Sequence, residues 1–107
     1  MARGRSKYHA VPTVVQGIRF DSKAEARRFE VLRALEDAGK IADLRLQPAF
    51  RCVVNGTLIC TYRADFSYVR DGRVVVEDVK GVETREFKIK RKMVAALHGV
   101  TVETIPA

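Results

Sequence analysis

Val74-Val75-Val76 has the make-up of a core strand, yet it runs into Glu77-Asp78-Val79-Lys80, two acids and a lysine where apolar residues should continue. Upstream lies Tyr62-Arg63-Ala64-Asp65-Phe66-Ser67-Tyr68-Val69, and Asp71-Gly72 between the two runs signals a two-residue hairpin turn. With Arg70 and Arg73 flanking the turn, Asp65 falls across from Asp78 and Arg63 across from Lys80. All four share one face, because side chains on a strand alternate. Opposed residues sit roughly 4.5–5.5 Å apart at Cβ, where like charges repel. A divalent cation is the obvious reason for two carboxylates at that spacing, and metal-assisted phosphodiester hydrolysis is the chemistry it would serve. Asp65, Asp78 and the Val79 carbonyl would hold Mg²⁺, or Mn²⁺ in its place, through oxygen. Lys80 would orient or help deprotonate a water and neutralise charge in the transition state.

The same charges also fit an exposed cross-strand ladder. Against that, both faces are apolar over part of their length: Val69, Val74 and Val76 share the Asp78 face, while Phe66, Tyr68, Val75 and Val79 take the other. The charged end is therefore expected to be a half-buried pocket, where unpaired charge is expensive. Glu77 lies opposite Phe66 by parity and should not share the metal. Glu25 has two readings that the spacing leaves open. It closes the capping box Ser22-Lys23-Ala24-Glu25, and it also shares the inward stripe with Phe29 and Leu32, from which it could reach the aspartates as a further metal-binding acid.

The elements that must position these groups are legible in outline. Thr13 to Phe20 reads as a hairpin turning at Gln16-Gly17, followed by a helix capped at Asp21 or Ser22, carrying Phe29, Leu32 and Leu35 inward and stopped by Gly39. A strand over 41–54 is interrupted at Pro48; Asn55-Gly56 turns it into a strand over 57–69 that pairs with both neighbours. A second helix spans 84–97 and ends at Gly99, with Phe87, Val94 and Leu97 inward; a final strand covers 100–105. Hairpin, helix, three antiparallel strands, helix, strand make an α/β domain over 9–107, with a basic flexible tail over 1–8.

At 107 residues, 47% hydrophobic and 31% charged, the chain is sized for one globular domain. No apolar run approaches the roughly 20 residues of a membrane span. The opening MARGRSKYHA lacks a signal-peptide core, so an intracellular, cytoplasmic protein is expected. Cys52 and Cys60 read as reduced strand cysteines, and neither His9 nor His98 sits at zinc-ligand spacing. The net charge of +7 is concentrated in Arg3, Arg5 and Lys7 and in REFKIKRK over 85–92, five positives against Glu86. Arg85, Lys88, Arg91 and Lys92 on the outer side of the second helix would contact phosphates without reading sequence, the footprint of a DNA partner.

Taken together, Glu on a first helix, Asp65 on a strand and Asp78-Val79-Lys80 on the next resemble the PD-(D/E)XK nuclease superfamily. The likeness is greatest to a small phage and prophage family catalogued as a domain of unknown function. Lys7-Tyr8-His9-Ala10, the run Gly17-Ile18-Arg19-Phe20-Asp21-Ser22-Lys23-Ala24-Glu25-Ala26, Ala64-Asp65-Phe66 and Val76 to Gly81 carry the resemblance. It implies a restriction-endonuclease-like core, metal binding by Asp65 and Asp78, a catalytic Lys80, a helix-borne Glu25 and a role for Gln47. Ala64 replaces the proline that often precedes the first aspartate; that proline is not a ligand. Related archaeal resolvases and transposition or repair nucleases share this layout, and several act as homodimers on branched DNA. A structure-selective, Holliday-junction-resolvase-like DNA endonuclease in a bacterial host cell is the function implied. A non-catalytic nucleic-acid-binding module on the same fold is the alternative.

Overall fold

The computed structural model describes residues 11–107. Three dipeptides with glycine second turn the chain tightly: Gln16-Gly17, Asn55-Gly56 and Asp71-Gly72 each place both residues at positive φ, the geometry that matches the twist of a two-residue hairpin. The first joins β1 (Thr13–Val15) to β2 (Ile18–Phe20). Ser22 then caps α1 (Lys23–Asp37), its hydroxyl accepting the Glu25 N–H at 3.1 Å. Gly39, with φ 74°, follows the helix end as expected. Thr84 caps α2 (Arg85–His98) in the same way, accepting from Phe87 N, and Gly99 closes it in the left-handed region.

The strands are more broken than the sequence pattern predicts. The run over 41–54 divides into β3 (Ala42–Leu46) and β4 (Ala49–Val54), and that over 57–69 into β5 (Thr57–Arg63) and β6 (Phe66–Arg70). Pro48 cannot donate to a ladder, and Gln47 before it turns through φ 51°. The partner strand bends at the same level, because Gln47 N donates to Asp65 O at 2.9 Å and Ala64 N to Pro48 O at 3.0 Å. Beyond this shared kink β4 and β5 leave the sheet as a separate two-stranded ribbon. Arg63 therefore pairs with Ala49 and not with Lys80, which corrects that part of the expected register.

The main sheet is mixed, in the order β3-β6-β7-β8, with β7 (Arg73–Lys80) antiparallel to β6 and parallel to β8 (Val102–Pro106). The β6–β7 ladder has the expected register, Arg70 opposite Arg73 and Phe66 opposite Glu77. On one face α1 buries Phe29 and Leu32 against Phe20, Phe66, Tyr68 and Val75; Phe20 and Phe29 approach to 5.0 Å between ring centres. On the other, Val76 packs with Phe87 and Val94 of α2 and with Cys52 and Tyr62 of the ribbon. The molecule is thus an α/β structure with an N-terminal hairpin and a helix on each face of its sheet. Leu97, expected inward, is exposed. The next residue, exposed as well, makes the contact to the ribbon: His98 donates from Nε2 to the Arg51 carbonyl at 2.7 Å and meets the Phe50 ring edge-on.

Candidate active site

The end of β7 and the β5–β6 kink build the site. Asp78 is 3% exposed on the side of β7 facing the ribbon, where the Tyr62 hydroxyl donates to its Oδ2. Tyr62 reaches it because Ala64 and Asp65 lie in the kink, which leaves the end of β5 packed beside β7. Asp65 continues the β6–β7 pairing by one backbone bond, Asp65 N to Glu77 O at 3.1 Å, and its Oδ2 accepts the Val79 N–H at 2.7 Å. The two carboxyl groups interact. Burial first, and the neighbouring Asp78 second, push Asp65 up to about 8, against the opposing Val79 hydrogen bond. Burial and the hydrogen bond to Asp78 raise Tyr62, which keeps it a donor at neutral pH.

Glu25 is half-buried in the first turn of α1, where it closes the cap and lies near the aspartates. Its backbone N–H closes the cap on Ser22, while its carboxyl interacts with Asp65, Asp78 and Lys80. Burial is the main cause of its raised proton affinity, with Asp21 next. Lys80 is half-buried, its Nζ 4.8 Å from the centre of the Phe87 ring. Glu25, Val79 and Lys80 line one wall of a cleft of about 550 Å³ between the starts of the two helices. A smaller hollow of about 260 Å³ brings Gln47 beside Glu25 and Asp65.

Among the described residues, neither Asp65 nor Asp78 has a cationic side chain within salt-bridge distance. Nor do three or more His, Cys, Asp or Glu side chains form a ready ligand group among them. The donors suit a hard cation as two carboxylates, each with one oxygen already hydrogen-bonded, plus backbone oxygen. Such an ion would replace the proton that Asp65 otherwise retains.

Glu77 goes where parity predicts, to the α1 face. Its partners were not foreseen: Arg28 binds both carboxylate oxygens, at 2.8 Å from Nε and 2.6 Å from Nη2, and the Tyr68 hydroxyl donates to Oε2. The available signal was that Arg28 lies one turn after Glu25 beside the inward Phe29, where a charge needs a counter-charge.

On α2, Arg85, Lys88 and Lys92 are exposed in one stripe. Arg91 is less free than expected, since it pairs with Glu83 at 3.2 Å and lies 5.1 Å from the Phe87 ring centre. Lys23 and Arg27, unremarked in the sequence, line the larger cleft. Arg3, Arg5 and Lys7 lie outside the described residues.

Residues 5–102 match the model of a family described as a protein of unknown function, DUF1064. The chain belongs to the DUF1064 family. The match takes in Glu25, Gln47, Asp65, Asp78, Lys80 and all of α2, so the candidate site lies wholly inside the DUF1064 region. No curated protein matches the chain. No helix among the described residues is long and apolar enough to cross a membrane.

Proposed function

We propose that this DUF1064 protein is a Mg²⁺-dependent DNA endonuclease of PD-(D/E)XK type that hydrolyses phosphodiester bonds in branched DNA. The observation that carries the reading is the uncompensated acid pair. Asp65 and Asp78 are drawn together at a strand end beside a cleft, with Glu25 and Lys80 at its wall. Two contacting carboxylates without a counter-cation oppose folding, and a site that retains them is one that binds something positive.

In this reading Asp65, Asp78 and the Val79 carbonyl would hold the ion, and Glu25 would reach it directly or through water. A Mg²⁺ or Mn²⁺ bound there would supply positive charge against the scissile phosphate and lower the pKa of a water. The chain's own residues do the rest. Val79 N–H and Tyr62 O–H each hold one carboxylate oxygen, so the remaining oxygens have fixed directions. Lys80 orients the attacking water or neutralises the phosphorane-like transition state. Arg85, Lys88 and Lys92, with Lys23 and Arg27 at the cleft, hold the flanking backbone. A homodimer in the bacterial cytoplasm would present two such sites to a symmetric junction.

One observation favours the alternative, a non-catalytic DNA-binding module: three ligand side chains do not converge among the described residues. Cleavage of junction, flap, nicked and linear DNA in Mg²⁺ by the wild type and by Asp78→Ala separates the two. Metal-dependent cutting lost in Asp78→Ala is expected. Equal cutting by both proteins sinks the site, and salt-sensitive binding with no cutting by either establishes the module.

A further inference from the structure

Glu77 is 1% exposed, yet it carries a carboxylate that the proposed chemistry does not use. Both its oxygens are satisfied, by the Arg28 fork and the Tyr68 hydroxyl. We infer that this buried Arg28–Glu77–Tyr68 cluster is the positioning device of the acid site, fixing Glu25, Asp65 and Asp78 relative to one another. The inference rests on the nuclease reading above.

Placement along the chain is the first argument. Arg28 lies one helical turn from Glu25 on α1, Tyr68 lies on β6 close after Asp65, and Glu77 adjoins Asp78 on β7. Each member of the cluster thus sits on the same element as, or next to, one acid of the site. Glu77 and Asp78 point to opposite faces of β7, Glu77 to Arg28 and Asp78 to Tyr62, so the cluster bears on the acids through α1 and the strands that carry them.

Energetics supply the second. A buried ion pair is a poor source of stability, because desolvation offsets its Coulomb attraction; apolar replacements of similar volume are often neutral or better. What the pair adds is direction. The rest of the α1 seat is apolar, with Phe20, Phe29, Leu32 and Phe66 in contact, and such packing tolerates small slides and rotations. A bidentate guanidinium–carboxylate pair does not, since both N–H···O bonds must stay in line. A misplacement of about 1 Å at a reacting centre can lower a rate about 100-fold.

The test compares the wild type with Arg28→Lys and with the triple variant Arg28→Met/Tyr68→Phe/Glu77→Leu. Each is followed by thermal melting, Mn²⁺ titration calorimetry and junction cleavage resolved into kcat and KM. The triple variant is expected to melt near the wild type, to bind Mn²⁺ about 10–100-fold more weakly and to lose kcat with KM little changed. Arg28→Lys, which keeps the charge and loses the fork, is expected to bind about tenfold more weakly. Folded variants with wild-type Mn²⁺ affinity and kcat overturn the inference alone. A wild type that binds no Mn²⁺ overturns the nuclease reading, and the inference with it. If the triple variant does not fold, Arg28→Lys decides: unchanged affinity rejects the positioning role.

Discussion

Asp65→Asn should stabilise the metal-free protein at pH 8 while removing its metal binding. In the unfolded chain Asp65 titrates near its ordinary value of 3.8; in the fold, burial and then the Asp78 carboxyl raise it to about 8. Between those values the native state holds a proton that the unfolded chain has released. Stability therefore falls as pH rises from about 4 to about 8, and the loss is complete above the folded value. A shift of that size would be worth about 6 kcal/mol in a dry site. Asp65 is half-buried with an edge toward the hollow beside Gln47, so solvent screening leaves about 2 kcal/mol. Asparagine cannot ionise, its amide oxygen can still accept the Val79 N–H, and its amide N–H can donate to Asp78. Circular-dichroism melts in EDTA should then show Asp65→Asn ahead by about 10 °C at pH 8, with the gap closing toward pH 5. Added Mg²⁺ should raise the wild-type midpoint and leave the variant unmoved. A gap that is absent at pH 8, or that does not change with pH, would refute the account of Asp65 as an uncompensated carboxyl.

Tyr62→Phe removes the only hydroxyl that donates to the buried Asp78 Oδ2 among the described residues. Urea unfolding should show a loss of about 1–3 kcal/mol, the usual result of stranding a buried acceptor; no loss would mean that water or a cation already serves it. Lys88→Ala/Lys92→Ala should leave the melting midpoint alone and weaken DNA binding, reducing the magnitude of the slope of log K against log salt by about 2 in fluorescence anisotropy. An unchanged slope would remove α2 from the DNA interface. Cys60 is half-buried while Cys52 is fully buried, and burial raises the Cys52 thiol. Ellman's reagent should accordingly titrate one thiol quickly and the second only as the ribbon opens; two equally fast thiols would contradict the packing of Cys52 beneath α2.

Local chemistry was readable where one residue dictates one conformation. The three turns with glycine second, the cap of α1, which falls to Ser22 of the two candidates, and the helix stops at Gly39 and Gly99 all depend on single side chains or their absence, and these stand as predicted; the Thr84 cap of α2 is a device of the same kind that the structure adds. The inward stripe of α1 and the alternation along β6 and β7 were equally plain. The kink was not. Pro48 marks a break in its own strand, but the matching break at Ala64-Asp65 follows from pairing across it, which no local pattern in 57–69 discloses. That hidden bend let Arg63 be placed against Lys80, and it is also what brings Tyr62 to Asp78. The Arg28–Glu77 pair escaped notice for a related reason: its members are 49 residues apart, and each alone resembles a surface charge.

The neighbouring acids Glu77 and Asp78 show why the site lies on one side of β7 and not the other. Both are buried to within a few per cent, and both sit at the end of a valine run. On the α1 face Glu77 has a permanent counter-charge in Arg28, so that face is electrically closed. On the opposite face Asp78 has a neutral tyrosine and another acid, and the nearby Glu25 adds more negative potential. Burial strengthens this imbalance, because low polarisability raises the energy of every uncompensated charge. The protein can relieve it by retaining a proton, at the expense of stability as pH rises, or by binding a cation. A cation bound there would carry the electrostatic advantage into catalysis, since its charge is held where water screens it least. In the proposed reading the same strand end has one acid fixed by the fold and one left for a cation, and the alternation of strand side chains is what keeps the two apart.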